Sequence, residues 1–140
     1  MPISRRDLAL LVPAVAAAQS QKAPKETLLS KVYRYDELPV KESNGNHQRA
    51  VLDGLTHGGF GVELHMTELG PGLAPHAPHR HSHEEIVMLR RGELEVTIEG
   101  KVTRATAGSV VSVASNELHG WKNPGSVPAE YFVIALGKQS

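Results

Sequence analysis

The sequence has no cysteine, no net charge and no long apolar run. Without cysteine, disulfides, thiolate zinc sites, iron–sulfur clusters and a cysteine nucleophile are excluded. Fifteen Lys and Arg balance fifteen Asp and Glu, so no basic field favours nucleic acid or an anionic membrane. The longest apolar stretch, residues 8–18, has eleven residues, whereas a spanning helix needs about twenty. We therefore expect a small-molecule partner, no nucleic acid and no stable membrane insertion.

The first eighteen residues have the layout of an export signal. Arg5 and Arg6 precede the apolar stretch, which ends in an Ala-x-Ala pattern at Ala16 and Ala18. Pro13 in its middle disfavours a buried helix. The arginine pair also resembles the twin-arginine export signal. We predict a signal at residues 1–18, a flexible leader at 19–30 and one domain at 31–140, in a periplasmic or secreted protein.

The remainder of the chain is patterned for β-strands. Residues 62–69 and 94–99 alternate apolar and polar side chains, and residues 109–114 and 131–136 follow turns. The continuous apolar run at 86–89 predicts a strand buried on both faces. No helical stripe follows residue 30, so we predict an all-β sandwich or barrel. Because pairing with a second copy removes an exposed sheet edge, a homodimer is one hypothesis for its assembly.

Histidine is the distinctive residue, with eight in the chain and four of them between positions 76 and 83. On a strand, His79 and His81 would share one face and converge on one point. Glu85 lies close behind them, and His119 is the natural fourth group from a distant strand. Imidazoles and a carboxylate are a donor set that binds divalent transition metals.

Two spacings resemble the motifs of the cupin family. The first is Gly72-x6-His79-x-His81-x3-Glu85-x6-Gly92, and the second is Gly108-x10-His119-x3-Asn123. The resemblance covers about residues 31–137. It implies a double-stranded β-helix, or jelly-roll barrel, with a metal ion held by the four residues His79, His81, Glu85 and His119.

Three neutral imidazoles and one carboxylate suit one divalent ion of Fe, Mn, Ni, Co, Cu or Zn per chain. In an octahedral ion they leave two positions for water, dioxygen or a chelating substrate. The resemblance implies an enzyme that acts on a small organic molecule, and we favour a dioxygenase-type oxidoreductase. A metal-dependent isomerase, decarboxylase, lyase or aminohydrolase, a non-catalytic metal- or ligand-binding module, and a metal-free epimerase-type protein are the alternatives.

Other polar residues near the cluster have candidate roles. His83 and Glu63 are the first catalytic bases to test beside the metal ligands, and His83 otherwise lies at the polar rim. His65 either lines the barrel interior or faces water. We expect His76 in a loop at the mouth and His47 in a surface loop.

Overall fold

The structure, a computed structural model, describes residues 24–137. The predicted export signal and the first five residues of the leader, 19–23, lie outside the described residues. Export and localisation therefore stay predictions. Within residues 24–137, no helix is long and apolar enough to cross a membrane.

Within that range the chain forms one short 3-10 turn and nine β-strands. The 3-10 turn is Tyr35–Glu37. The strands are β1 (Val40–Ser43), β2 (Asn46–Leu55), β3 (Gly61–Leu69), β4 (Glu84–Arg91), β5 (Glu93–Ile98), β6 (Lys101–Thr106), β7 (Val110–Val113), β8 (His119–Lys122) and β9 (Ala129–Gly137).

The strands form two antiparallel sheets. The larger has the order β1-β2-β3-β9-β4-β7, and the smaller has the order β6-β5-β8. Strands that are distant in sequence, such as β3 and β9, are therefore neighbours over nine residue pairs from Gly61↔Gly137 to Leu69↔Ala129. This is a double-stranded β-helix, and the all-β prediction is confirmed.

Alternating side chains of both sheets fill the barrel. On β4, Val87 and Leu89 are buried whereas Met88 between them is exposed. The prediction that this strand is buried on both faces is wrong, because within residues 24–137 no element covers Met88 on the outer face of β4. Leu94 of β5 packs with the same core from the smaller sheet.

Several elements differ from the sequence-based expectations. Strands β1, β2, β6 and β8 were not individually predicted. His47 lies on β2 rather than in a loop, 3.3 Å from carboxylate oxygens of Glu42 and Glu68. Within the predicted leader, the Leu28 N–H donates to Leu55 O of β2 at 2.8 Å.

A glycine marks the point where the chain passes from one sheet to the other. Gly92, between β4 and β5, has φ = 77°, a left-handed conformation that L-residues with a side chain adopt reluctantly. A Cβ at this position would lie 2.8 Å from the backbone oxygen of Pro128. Glycine therefore satisfies both the turn and the close approach of the chain.

Candidate metal centre

The backbone joins two distant segments at the centre of the histidine cluster. His79 N–H donates to His119 O and His119 N–H donates to His79 O, both at 3.0 Å. This isolated antiparallel bridge connects the segment before β4 to the first residue of β8. It places the two side chains beside each other although they are far apart in sequence.

Three imidazoles meet at this bridge. The ring centroids of His79 and His119 are 4.9 Å apart, those of His79 and His81 5.1 Å, and those of His81 and His119 4.6 Å. One ring nitrogen from each lies within 4.8 Å of the others. Their spacing suits three groups around one common ion.

Glu85 projects from β4 into the same cluster. Its Oε2 lies 3.2 Å from Nε2 of His119, and its Oε1 lies 3.3 Å from Nε2 of His81. The carboxylate is buried. The structure thus brings together all four residues that the sequence predicted as ligands.

The hydrogen bonds of the imidazoles fix which nitrogen faces inward. In neutral rings, Nδ1–H of His81 donates to His83 O and Nδ1–H of His119 donates to Glu117 O, both at 2.9 Å. Nδ1–H of His79 likewise donates to Ala77 O at 3.3 Å. A donor bond at Nδ1 leaves the Nε2 lone pair free for a metal.

The inward-facing atoms are left without partners. Nε2 of His81, Nε2 of His119 and Oε2 of Glu85 are buried and have no hydrogen-bond partner among residues 24–137. Lone pairs that face each other at 3.2 to 3.3 Å repel, and unpaired buried polar atoms are costly. A divalent cation among them would relieve both effects, so the donor set is compatible with a metal ion.

Burial also favours the neutral form of one ring. It lowers the pKa of His79 below the ordinary value, and the neighbouring His76 lowers the pKa further. Neutral imidazole is the form that binds metal.

His83 lies closer to the cluster than a rim residue would. Its ring stacks on that of His81, with centroids 3.6 Å apart and planes at 9°. Its Nε2 lies 3.4 Å from Oε1 of Glu85, and His81, His83 and Glu85 form a second group of potential metal ligands. His83 therefore contacts the carboxylate from the more exposed side.

Glu63 and His65 lie together on β3. Nδ1 of His65 is buried, faces Oε1 of Glu63 at 3.4 Å, and has no hydrogen-bond partner in the described part of the chain. His65 lines a cavity that is partly open to solvent, whereas Glu63 is half-exposed and does not line it. The sequence left two positions possible for His65, the barrel interior or the solvent, and the structure places it in the cavity lining.

That cavity has a volume of about 520 Å³ and extends beside Glu85. Trp121 and Tyr131 form part of its wall, where Trp121 Nε1–H donates to Tyr131 Oη at 3.0 Å. Burial raises the pKa of Tyr131 to about 12, so its phenol stays protonated at neutral pH. The other lining residues are Lys41, Ser43, Asn44, Asn46, Gln48, His65, Thr67, Leu73, Ala74, Pro75, His76 and Val133.

Sequence reasoning missed the polar groups that β1 and β2 contribute to the cavity, including Asn46 and Gln48. The alternation of β3 was the available signal for His65, because His65 shares its face with the buried Thr67 and Leu69. Asn123, the last residue of the second motif, is fully buried and lies outside the cluster. Its amide Nδ2 donates to the carbonyl oxygens of Leu69 and Val127.

The pKa of His65 gives a test of this arrangement. Burial lowers the pKa of His65 below 6.5, and Glu63 partly opposes the shift. The titratable groups that affect the pKa of His65 are Glu63, Glu85 and His76. Below pH 6.5 the unfolded chain then binds more protons than the folded one, so stability should fall as the pH falls through this region.

We expect an NMR titration of the metal-free protein to give a His65 pKa below 6.5, and Glu63→Gln to lower it further. His65→Gln assigns the signal. A His65 pKa that is raised, or that does not respond to Glu63→Gln, would contradict the contact.

Comparison with known proteins yields a family and a fold. The family model described as "Cupin domain" matches residues 65–135. No curated protein matches the sequence. Among solved structures, a Shewanella frigidimarina RmlC-like cupin is 17% identical with a TM-score of 0.65, covering 79% of this chain and 95% of its own.

Two further structures are similar in fold. A predicted oxalate decarboxylase from Thermotoga maritima is 24% identical with a TM-score of 0.63, covering 76% of this chain and 99% of its own. The polyketide cyclase RemF from Streptomyces resistomycificus is 16% identical with a TM-score of 0.63, covering 78% and 80% respectively. At these identities the similarity concerns the fold alone.

Proposed function

Because this chain belongs to the cupin family, we propose that it is a metal-dependent enzyme that acts on a small organic molecule in the barrel cavity. The residues that would bind the metal ion are His79, His81, Glu85 and His119. The observation that supports this most directly is the set of buried, mutually facing Nε2 and Oε2 atoms without hydrogen-bond partners. The four groups come from two segments that the backbone itself joins.

The bound ion would supply Lewis-acid chemistry or, if redox-active, oxygen-dependent oxidation at positions left open by the protein ligands. Nitrogen and oxygen donors suit Fe, Mn, Ni, Co, Cu or Zn. We propose a dioxygenase-type reaction as the first to test. The reaction cannot be inferred from the fold, because proteins of similar fold include a predicted oxalate decarboxylase and a polyketide cyclase.

The cavity determines what kind of molecule would fit. Its volume of about 520 Å³ lies in the range of small-molecule sites. Trp121 forms an aromatic wall, and Gln48, Thr67 and Tyr131 provide hydrogen-bonding groups. Among the described lining residues, Lys41 is the one Lys or Arg. We therefore propose a compact substrate with vicinal oxygens, which would chelate the ion at one end.

Two histidines near the proposed centre would have different roles. We propose that His65 is the base for the substrate: a substrate O–H would transfer its proton to Nε2, and Glu63 at Nδ1 would stabilise the resulting imidazolium. Glu63, the candidate from the sequence, would thus act through His65. His83 would donate its Nε2–H to Oε1 of Glu85, which it contacts at 3.4 Å, and would hold that carboxylate in place.

The test combines metal analysis with a reaction screen. We expect the protein from metal-replete cells to contain close to one transition-metal ion per chain by elemental analysis. Oxygen consumption is then measured with catechols and 2-hydroxy ketones, with His119→Ala as the matched inactive variant. Absence of metal would contradict the proposal, whereas stoichiometric metal without turnover across oxidation and hydrolysis screens would favour a non-catalytic binding module.

A further inference from the structure

An arginine between two of the proposed ligands connects the cluster to the smaller sheet. Arg80 stands between His79 and His81 in sequence. Its Nη1 lies 2.5 Å from Oε1 of Glu99 and its Nη2 lies 3.2 Å from Oε2, so the contact is bidentate. Glu99 occupies the turn between β5 and β6. The same Nη1 also donates to Asn116 O at 2.5 Å.

Glu99 in turn holds the segment that contains the distant ligand. Its Oε1 accepts the backbone N–H of Leu118, the residue before His119, at 2.6 Å. The Glu99 N–H donates to Leu118 O at 2.8 Å. One ion pair therefore contacts both segments that bring imidazoles to the cluster.

A backbone bond completes the connection between these segments. Asn116 N–H donates to His81 O at 2.8 Å. This bond and the hydrogen bond from Arg80 to Asn116 O together fix the position of Asn116 relative to His81. Asn116 lies three residues before His119, so the same bonds constrain the segment that carries His119. The guanidinium lowers the pKa of the Glu99 carboxyl below its ordinary value, so the pair is ionised at neutral pH.

Glu99 is not the residue that its turn favours. It has φ = 45°, followed by Gly100 at φ = 80°, the left-handed pair of a two-residue hairpin in which Asn-Gly is preferred. A glutamate at this φ is strained relative to asparagine or glycine. Such outliers tend to occur where another requirement outweighs local strain.

We propose that the pair of Arg80 and Glu99 positions the metal ligands, and that this role accounts for a glutamate at a strained turn position. The proposal rests on the proposed function, because it concerns the same centre. Exposed ion pairs add little to stability. By contrast, substitution of a group that orients a metal ligand typically lowers metal affinity by about 10- to 100-fold.

The test separates metal affinity from stability in the full chain. Zn²⁺ affinity is measured by competition with a chromogenic chelator, and the thermal midpoint of the metal-free protein is measured in parallel. We expect Glu99→Asn to keep or raise the thermal midpoint, because asparagine suits the turn, and to weaken Zn²⁺ binding by about 10-fold or more. Arg80→Met should weaken Zn²⁺ binding similarly.

The β5–β6 hairpin also provides matched controls. Arg104 contacts Glu93 through Nε at 2.8 Å and Nη2 at 2.5 Å, an exposed pair for which no contact with a ligand-bearing segment is observed among residues 24–137. Glu93→Asn and Arg104→Met should leave Zn²⁺ affinity unchanged.

The outcomes distinguish this inference from the proposed function. If the unmodified protein binds no Zn²⁺, the proposed function itself fails. If it binds Zn²⁺ and Glu99→Asn binds equally well, or no worse than the Glu93→Asn control, only the positioning role is overturned. A lower thermal midpoint for metal-free Glu99→Asn would also overturn it, because Glu99 would then serve the stability of the fold.

Discussion

Replacing His119 with alanine is expected to weaken metal binding by at least about 100-fold, more than is typical for a group that only orients a ligand. His119 is 1% exposed, and its Nε2 faces Oε2 of Glu85. The substitution would remove one of four proposed donors and leave a buried carboxylate without its neighbour. Isothermal titration with Zn²⁺, on proteins of verified fold, measures the effect.

His76→Ala is the comparison for that variant. His76 packs edge-on against His79 with centroids 4.2 Å apart, and its Nδ1 lies 3.0 Å from Ala77 O. It belongs to neither group of potential ligands, so its removal should change Zn²⁺ affinity far less. Equal affinity in the two variants would mean that the metal binds elsewhere.

The second large effect concerns stability. Asn123→Ala is expected to lower the free energy of unfolding by about 3 kcal/mol, because it leaves several buried groups unpaired. Its Nδ2 donates to Leu69 O at 3.0 Å and to Val127 O at 2.7 Å, and its Oδ1 accepts from Gly125 N–H at 2.9 Å. Urea denaturation of the metal-free protein gives the value.

Ser126→Ala lies in the same turn and is exposed, so it should change stability by less than about 0.5 kcal/mol. If Asn123→Ala proved as mild, the buried amide network would not be stabilising the turn after β8.

The proposed ligands were within reach of sequence reasoning because their spacing is short and their chemistry specific. His79, His81 and Glu85 lie within seven residues, and imidazole and carboxylate groups are typical ligands of transition metals. The prediction of His119 as the fourth ligand depended on the second motif, because no local pattern shows which distant strand pairs near His79 and His81. The structure supplies that pairing through the backbone bridge at His79.

The remaining strands were harder for physical reasons. In β2 the register shifts between Ala50 and Leu52, which breaks the alternation that identifies a strand. In β6 every residue except Ala105 is exposed, so little apolar pattern remains. The outer face of β4 looked buried because apolar residues at an exposed surface are indistinguishable from core residues in sequence.

The finer arrangement of the site depends on contacts between distant segments. The half-exposed Glu63 could be selected from the sequence, but its place behind His65 follows from the side chains of the folded barrel. The pairing of Arg80 with Glu99 depends on where the β5–β6 turn meets the segment before β8. No spacing rule relates these positions.

The backbone bridge between His79 and His119 has a consequence for the order of assembly. It closes a loop of 40 positions (119 − 79) that contains four complete strands, β4 to β7. A newly made chain that ended before residue 119 would therefore hold an incomplete set of donors. If the chain binds metal as proposed, loading of the centre would follow synthesis of most of the barrel, and a chain truncated before residue 119 would lack a full-affinity site.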